Sequence, residues 1–434
     1  MHRIVMFCGE IETQEYFTAR MREEFERLGF LVYTFDLSQP AESLNGLMRF
    51  IRTGDTAVVS FNYHGITPGD IFRLDDDGEW LWDGIGAPCY NIVVDHPYYY
   101  DRFMPDMPRN YIHISIDRFH DAYFKRFYPE FARIPFLPLA GTKLDPLSFL
   151  KAEDLAEGYR EIPAGMTERE YLQSILTDRG YLPVEARPFD VVFTGNYTNP
   201  KKFDKYIERN GEEYAEFYRG IIKDLIEHSD RTVEEVAEAH IRREIPEVTE
   251  EELRETFAHL IFIDLYVRSY IRGKAVQVLV DAGLKVAVFG GGWDTLECAR
   301  PENLINGRDV NSEKCLQMIE LAKCSLNVMP WFKDGAHDRI FNTTLNGSLL
   351  ISDSSIYLQE ILHDGIDCIQ YDLQNIEEMP ARVKKLLADP ERMQKMADAA
   401  YDVAAGCHTW ANRAETLAEY IRGDKQPIPA SKPE

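Results

Sequence analysis

Long apolar runs are missing from this chain. No stretch approaches the roughly 20 residues that a membrane-crossing helix requires, and the first segment, MHRIVMFCGE, has too short an apolar run for a signal peptide and reads as a strand leading into an amphipathic helix. Cysteine is sparse and dispersed: Cys8, Cys89, Cys298, Cys315, Cys324, Cys368 and Cys407 form no close CxxC pair. An odd number of thiols with apolar or helical neighbours is expected to stay reduced and mostly buried, which fits a cytoplasmic protein. Positive charge is also short, with 48 Lys and Arg against 73 Asp and Glu, a formal net charge of -25. That balance argues against nucleic acid or an anionic membrane as the main partner. There is no internal repeat, and the one biased tract is the tail from Gln426, so residues 421–434 are expected to be flexible.

What is present is enough apolar material for two cores. Of 434 residues 45% are hydrophobic and 12% aromatic, which excludes a disordered chain and suits two domains. From Met1 to about Gly141 strands and helices alternate: strands over Ile4–Cys8, Leu31–Phe35, Ala57–Phe61, Tyr90–Val94 and Arg133–Pro138, with helices over Thr13–Leu28 and Arg118–Phe127. Strands apolar on both faces are covered by helices on both, the pattern of a Rossmann-like parallel sheet. A polar connector follows over 142–188, so the first domain is expected to run 1–188 and the second 189–420.

The second domain opens on Asp190–Thr194 and is interrupted by a charged helical stretch, 201–283. Thr232 with Glu235 and Thr249 with Glu252 are capping-box matches that start fresh helices. Leu260–Val280 is a long apolar-striped helix carrying Arg268, Arg272 and Lys274. Three roles are open for this insertion (covering a cleft, contacting an acceptor, forming a dimer face), but charge runs usually face water and a solvated excursion is the simpler reading. Asp75 and Asp77 spell DxD, yet Asp-Gly between two strand-like stretches is a hairpin signal, and a hard-cation site needs several convergent oxygens. No metal site is read there.

Residues 325–353 carry the densest information. Leu326–Met329 reads as a short strand, then come a polar loop with Gly335 and His337, a helix from near Arg339 stopped by Gly347, and a second strand over Leu349–Ile351. Free N–H groups and the positive end of the helix dipole make such a junction a ready anion site, with Arg339 beside it. The alternative is an ordinary half of an α/β domain with Arg339 as a surface charge. Upstream, Val286–Phe289 runs into Gly290-Gly291-Gly292-Trp293, where a ligand can approach the backbone closely. This is not GxGxxG, and two tight turns would leave the same trace.

The string HDRIFNTTLNGSLLISD (337–353) resembles the donor-binding segment of the glycosyltransferases group 1 family, in its branch with a CgeB-like (spore maturation type) C-terminal half. Tyr371-Asp372, Asp389-Pro390 and His408-Thr409-Trp410 with Arg413 agree. So do, in order upstream, Val59–Asn62, Val94–Pro97, Ser115–Arg118, Phe136–Ala140 and Asp190–Asn196. The resemblance implies two Rossmann-like domains facing a cleft (GT-B) and a cytoplasmic, metal-independent glycosyltransferase. It implies no cofactor beyond a nucleotide diphosphate sugar as donor, and a flagellin- or spore-coat-like protein or a polysaccharide as acceptor. A homodimer is a further expectation. The donor-side candidates are Gly195, Asn196, Gly291, Gly292, Trp293, His337, Arg339, Asn342 and Asp353. Asn342 stands where many relatives carry a Glu expected on the donor ribose. The acceptor's base is sought in the N-terminal domain, first at Asp95, then His96, Asp117 and His64; for Asp95 a turn-capping role before Pro97 is the competing reading. An epimerase or hydrolase on the same fold, or a non-catalytic nucleotide-sugar-binding subunit, are the rival functions.

Overall fold

The computed structural model describes residues 1–67, 71–74 and 78–431. The chain folds into two compact units, one made of Met1–Leu139, Thr249–Ala258 and Thr409–Glu434, the other of Ala140–Val248 and His259–His408. Each is built on a six-stranded parallel sheet.

In the first unit β1 (Arg3–Cys8), β2 (Leu31–Asp36), β3 (Thr56–Phe61), β4 (Cys89–Val93), β5 (Tyr111–Ser115) and β6 (Ala132–Ile134) lie in the order β2-β1-β3-β4-β5-β6. Every residue of β3, β4 and β5 is buried, as strands covered on both faces must be. The order reverses between β1 and β3, so the crevice beyond their C-terminal ends is where an open α/β sheet takes ligands. Two distant segments complete this unit. The helix Trp410–Arg422 lays Trp410 against Phe17, ring centroids 5.3 Å apart, and Arg413 Nε donates to the Pro138 carbonyl at 2.6 Å. The helix Glu250–Ala258 pairs Glu250 with Arg126 at 2.7 and 3.0 Å and Arg254 with Asp101 at 2.9 Å.

In the second unit β7 (Phe189–Thr194), β8 (Val286–Phe289), β9 (Leu304–Asn306), β10 (Ala322–Asn327), β11 (Leu349–Asp353) and β12 (Ile369–Tyr371) lie in the order β12-β11-β10-β7-β8-β9, reversing between β7 and β10. The connector residues beyond 140 belong here. Arg187, 0% exposed, donates to the carbonyls of Leu182, Ile319, Ala322 and Asn346, and lies 3.9 Å from the equally buried Glu320.

Several expectations are revised. The unit boundary falls at 139–140 rather than 188–189, because the connector is anchored by Arg187 and the last helix returns to the first sheet. The charged stretch is not simply a solvated excursion. Its last helix, Ile261–Asp281, buries Ile263, Val267, Ile271, Ala275, Val276, Leu279 and Val280 and forms the end of the crossover between β7 and β8. Both expected capping boxes form. The tail is paired rather than flexible as far as Ser431: Ile428 exchanges both backbone hydrogen bonds with Arg133 (3.0 and 2.9 Å), satisfying edge strand β6. Of the seven cysteines Cys89, Cys324 and Cys368 are buried and Cys407 is exposed. Asp75 and Asp77 lie outside the described residues. Among the described residues no helix is long and apolar enough to cross a membrane.

Candidate functional site

The second unit gathers its polar groups at the reversal between β7 and β10. The ends of β7 and β8 are stitched together there: Gly195 N–H donates to Phe289 O at 2.7 Å, Gly291 N–H to Asn196 Oδ1 at 2.8 Å, and Tyr197 N–H to Gly291 O at 2.9 Å. A side chain at Gly195 would come 3.1 Å from an Arg339 nitrogen and 3.3 Å from the Phe193 ring. At Gly292, φ +87°, a Cβ would run into the Tyr197 carbonyl. Glycine is therefore required where these strands end. Trp293, expected to touch a ligand, is 1% exposed; its Nε1 donates to Gly195 O at 2.9 Å and its ring stacks on Tyr197 at 5.0 Å. It braces the floor.

Two arginines converge on this floor. Arg339, in the first turn of the helix Asp338–Leu345, donates from Nη1 to Asn327 Oδ1 at 2.8 Å and sits 5.1 Å from the Phe193 ring centroid. Arg272, from the crossover helix, donates from Nη1 to Asn196 O at 2.5 Å and lies 5.7 Å from the same ring. Its Nε is buried without a partner. Burial, then Arg268, then Arg339 push the Arg272 guanidinium down to about 9. Burial also lowers that of Arg339. Arg268 is offset by Asp264 in its own helix, 3.5 Å away. Two half-buried guanidinia that repel one another are a site in which an anion relieves both desolvation and repulsion.

The β11 side holds this arrangement in place. Asn327 donates from Nδ2 to Ser352 Oγ at 2.9 Å, and its carbonyl accepts from the Tyr371 hydroxyl at 2.9 Å. Asp353, expected to line the site, is 1% exposed: one oxygen accepts from Met329 N–H at 2.8 Å, the other has no partner, and burial pushes the carboxyl up to about 7. It is a brace for the β10 end. Asn342 is also engaged away from solvent, accepting from Thr142 N–H at 2.8 Å and donating to Asp338 at 2.9 Å. It ties the connector to the helix Asp338–Leu345. His337 caps that helix in position without a side-chain cap bond and packs on Phe332, centroids 4.3 Å apart.

In the first unit the four acid–base candidates separate. Asp117 is 0% exposed and caps the helix Arg118–Phe127, accepting from Phe119 N–H at 2.7 Å and His120 N–H at 3.3 Å. His96 is buried among Tyr98, His120 and Tyr123, ring centroids 4.2 to 4.8 Å away. Neither presents a group to solvent. His64 is buried beside Glu10, 3.2 Å from its carboxylate, and burial lowers its pKa. Asp95 alone is half-buried at the end of β4: its Oδ2 accepts from Asn62 Nδ2 at 2.9 Å and from the Tyr100 hydroxyl at 3.1 Å. It does not cap the turn at Pro97 in any of these bonds. Arg272 and Asn62 were not singled out from the sequence as site residues.

Residues 272–419 match the family described as glycosyl transferase-like. No curated protein matches the chain in sequence. An alpha-glucosyltransferase in complex with UDP-glucose and DNA containing an abasic site is similar in structure, with TM-score 0.51, 10% identity, and 97% of this chain and 99% of that one covered. Alr3699/HepE of Anabaena in complex with UDP gives TM-score 0.50 and 9% identity, over 98% and 100% of the two chains. The chain thus has the GT-B architecture of two Rossmann-like domains, and about a third of it, from Arg272 to Glu419, matches the glycosyl transferase-like family.

Proposed function

We propose that the protein transfers a glycosyl group from a nucleoside diphosphate sugar to an acceptor hydroxyl. The observation that carries this is the pair Arg272–Arg339 over Phe193 beside Gly195, a cationic site with no side chain in the way. The diphosphate is dianionic in the bound donor, and its charge grows as the bond between the anomeric carbon and the diphosphate oxygen breaks. Guanidinia and the N–H groups at the start of the helix Asp338–Leu345 stabilise that growing charge more than the ground state. They take the place that a divalent metal has in other glycosyl transfer, so the reaction is metal-independent in this reading. Asp95 accepts the proton of the acceptor hydroxyl as its oxygen bonds to the anomeric carbon. The resemblance to the CgeB-like branch favours a flagellin- or spore-coat-like protein or a polysaccharide as acceptor, in the cytoplasm.

UDP-glucose is the first donor to try, since one of the similar structures holds it. Thermal shifts across a panel of nucleotide sugars, followed by product analysis with saccharide and protein acceptors, test the proposal. A donor that binds and yields free nucleotide plus a glycosylated acceptor supports it. An isomerised sugar with no acceptor consumed would make the protein an epimerase, and binding without turnover would make it a nucleotide-sugar carrier subunit.

A further inference from the structure

We propose that Asn62 is the positioning residue for the Asp95 carboxylate, and that the strained end of β3 exists to hold it there. This rests on Asp95 acting as the base in the transfer reaction above. Asn62 and Tyr63 are consecutive non-glycine residues in the left-handed region, φ +46° and +69°. One such residue is uncommon; two in succession, one of them a tyrosine, persist only where the surroundings enforce them. Here they do. Asn62 N–H donates to Ile92 O at 3.0 Å and Tyr63 N–H to Asn91 Oδ1 at 2.9 Å. The Tyr63 ring is fully buried, stacked on Tyr111 at 5.9 Å, with the two hydroxyls 3.1 Å apart.

This backbone turns the Asn62 amide toward the end of β4. Its Oδ1 accepts from Val94 N–H at 2.8 Å and its Nδ2 donates to Asp95 Oδ2 at 2.9 Å. One side chain therefore fixes both the backbone before Asp95 and the carboxylate itself. Tyr100 donates to the same oxygen, at 3.1 Å. Both neutral donors fall on Oδ2, and Oδ1 accepts no hydrogen bond within the described residues. The arrangement pins one oxygen and leaves the other to receive a proton. Asn62 follows β3, one of the two strands at the reversal of the sheet, and Asp95 follows the neighbouring β4. Glycine adopts φ +46° without steric cost, whereas asparagine only tolerates it.

That last point supplies the test. Asn62→Gly removes the amide while easing the backbone, so a structural role and a positioning role give opposite signatures. With UDP-glucose as donor and saccharide acceptors, Asn62→Gly is expected to keep its KM for UDP-glucose while kcat falls about 10- to 100-fold, its melting temperature set by the balance between the lost Val94 N–H bond and the eased backbone. Tyr100→Phe, which leaves the backbone alone, should lower kcat in the same sense by a smaller factor, and decides the matter should Asn62→Gly not fold. In a double-mutant cycle, Asn62→Gly added to Asp95→Asn should slow the enzyme no further, because the positioned group is already gone. Normal kcat in Asn62→Gly and Tyr100→Phe beside an inactive Asp95→Asn would overturn the positioning role and leave the base intact. Full turnover in Asp95→Asn, or release of no nucleotide by the wild type, would instead overturn the reading on which it rests.

Discussion

Replacing Arg272 by methionine should make the free protein more stable and a worse binder, two effects of opposite sign from one side chain. The guanidinium is charged at neutral pH although burial, Arg268 and Arg339 lower it well below the usual arginine range, to about 9. At about 1.4 kcal/mol per unit, that fall corresponds to about 5 kcal/mol held against folding as long as the charge is present. The penalty stands at every pH below about 9 and is relieved only as pH rises above that, so it is fully carried under ordinary conditions. Two contacts offset it: the bond to Asn196 O, of about 1.5–3 kcal/mol for a charged donor, and the Phe193 ring, of about 1 kcal/mol. Methionine fills similar volume without the charge, so the net gain is about 1–2 kcal/mol and the melting temperature should rise by a few degrees. Affinity for UDP should fall about 10- to 100-fold, since a charge-assisted bond to phosphate is lost from a desolvated site. Scanning calorimetry of the free protein and titration calorimetry with UDP read the two quantities separately. An Arg272→Met protein that melts earlier and binds UDP normally would show that Arg272 is a brace for the crossover helix, and the diphosphate site would have to be sought elsewhere.

Arg339→Lys keeps a charge but loses the planar fork that reaches Asn327, and turnover should drop at least tenfold; Arg339→Ala should lose nearly all of it with the fold retained, checked by circular dichroism beside kinetics. Asp95→Asn should cost about two to four orders of magnitude in kcat with donor affinity unchanged, measured by nucleotide release. Glu320, pushed up to about 7 by burial against an ordinary 4.5, stabilises fully below pH 4.5 and loses that contribution as pH rises through 7. The urea midpoint of the wild type should therefore fall between pH 5 and pH 8 relative to that of Glu320→Gln; equal slopes in the two proteins would refute the assignment. Finally, activity should survive a strong chelator, and rescue of chelated enzyme by Mg²⁺ or Mn²⁺ would refute metal independence.

Much of the architecture is legible in the chain. Runs such as Ile4–Phe7 and Val191–Phe193, apolar on successive positions, read as strands buried on both faces, and Gly195 and Gly292 mark strand ends where no side chain fits. The helix-start reading placed Arg339 within one residue of the observed boundary. The capping of the helix Arg118–Phe127 by Asp117 has a plain signal, since an Asp immediately before a helix is a preferred N-cap. The burial of Trp293 leaves no such trace, because exposure cannot be read from a Gly-rich context. Arg272 was missed because its level along a helix has to be measured against the sheet. From Asp281 back to Arg272 the helix rises about 14 Å, close to the about 13 Å that the chain advances in the four steps from Val286 to Gly290, so Arg272 stands level with the strand end. Local periodicity marks Arg272 only as the residue one turn after Arg268. Asn62 was named only as part of a motif, since left-handed backbone at a non-glycine residue leaves no pattern in sequence.

The return of the helix Trp410–Arg422 to the first sheet has a consequence for synthesis. The six strands of that sheet have all been made by residue 134, yet the helix that covers Phe17 and Phe61 with Trp410 comes last. At about 5–20 residues per second, the intervening roughly 270 residues take about 15–50 s to emerge from the ribosome. During that interval an apolar face that is covered in the finished protein faces solvent. A nascent chain arrested near residue 400 should therefore be held by chaperones at the Phe17 face, and release of the final helix is the event that ends that dependence.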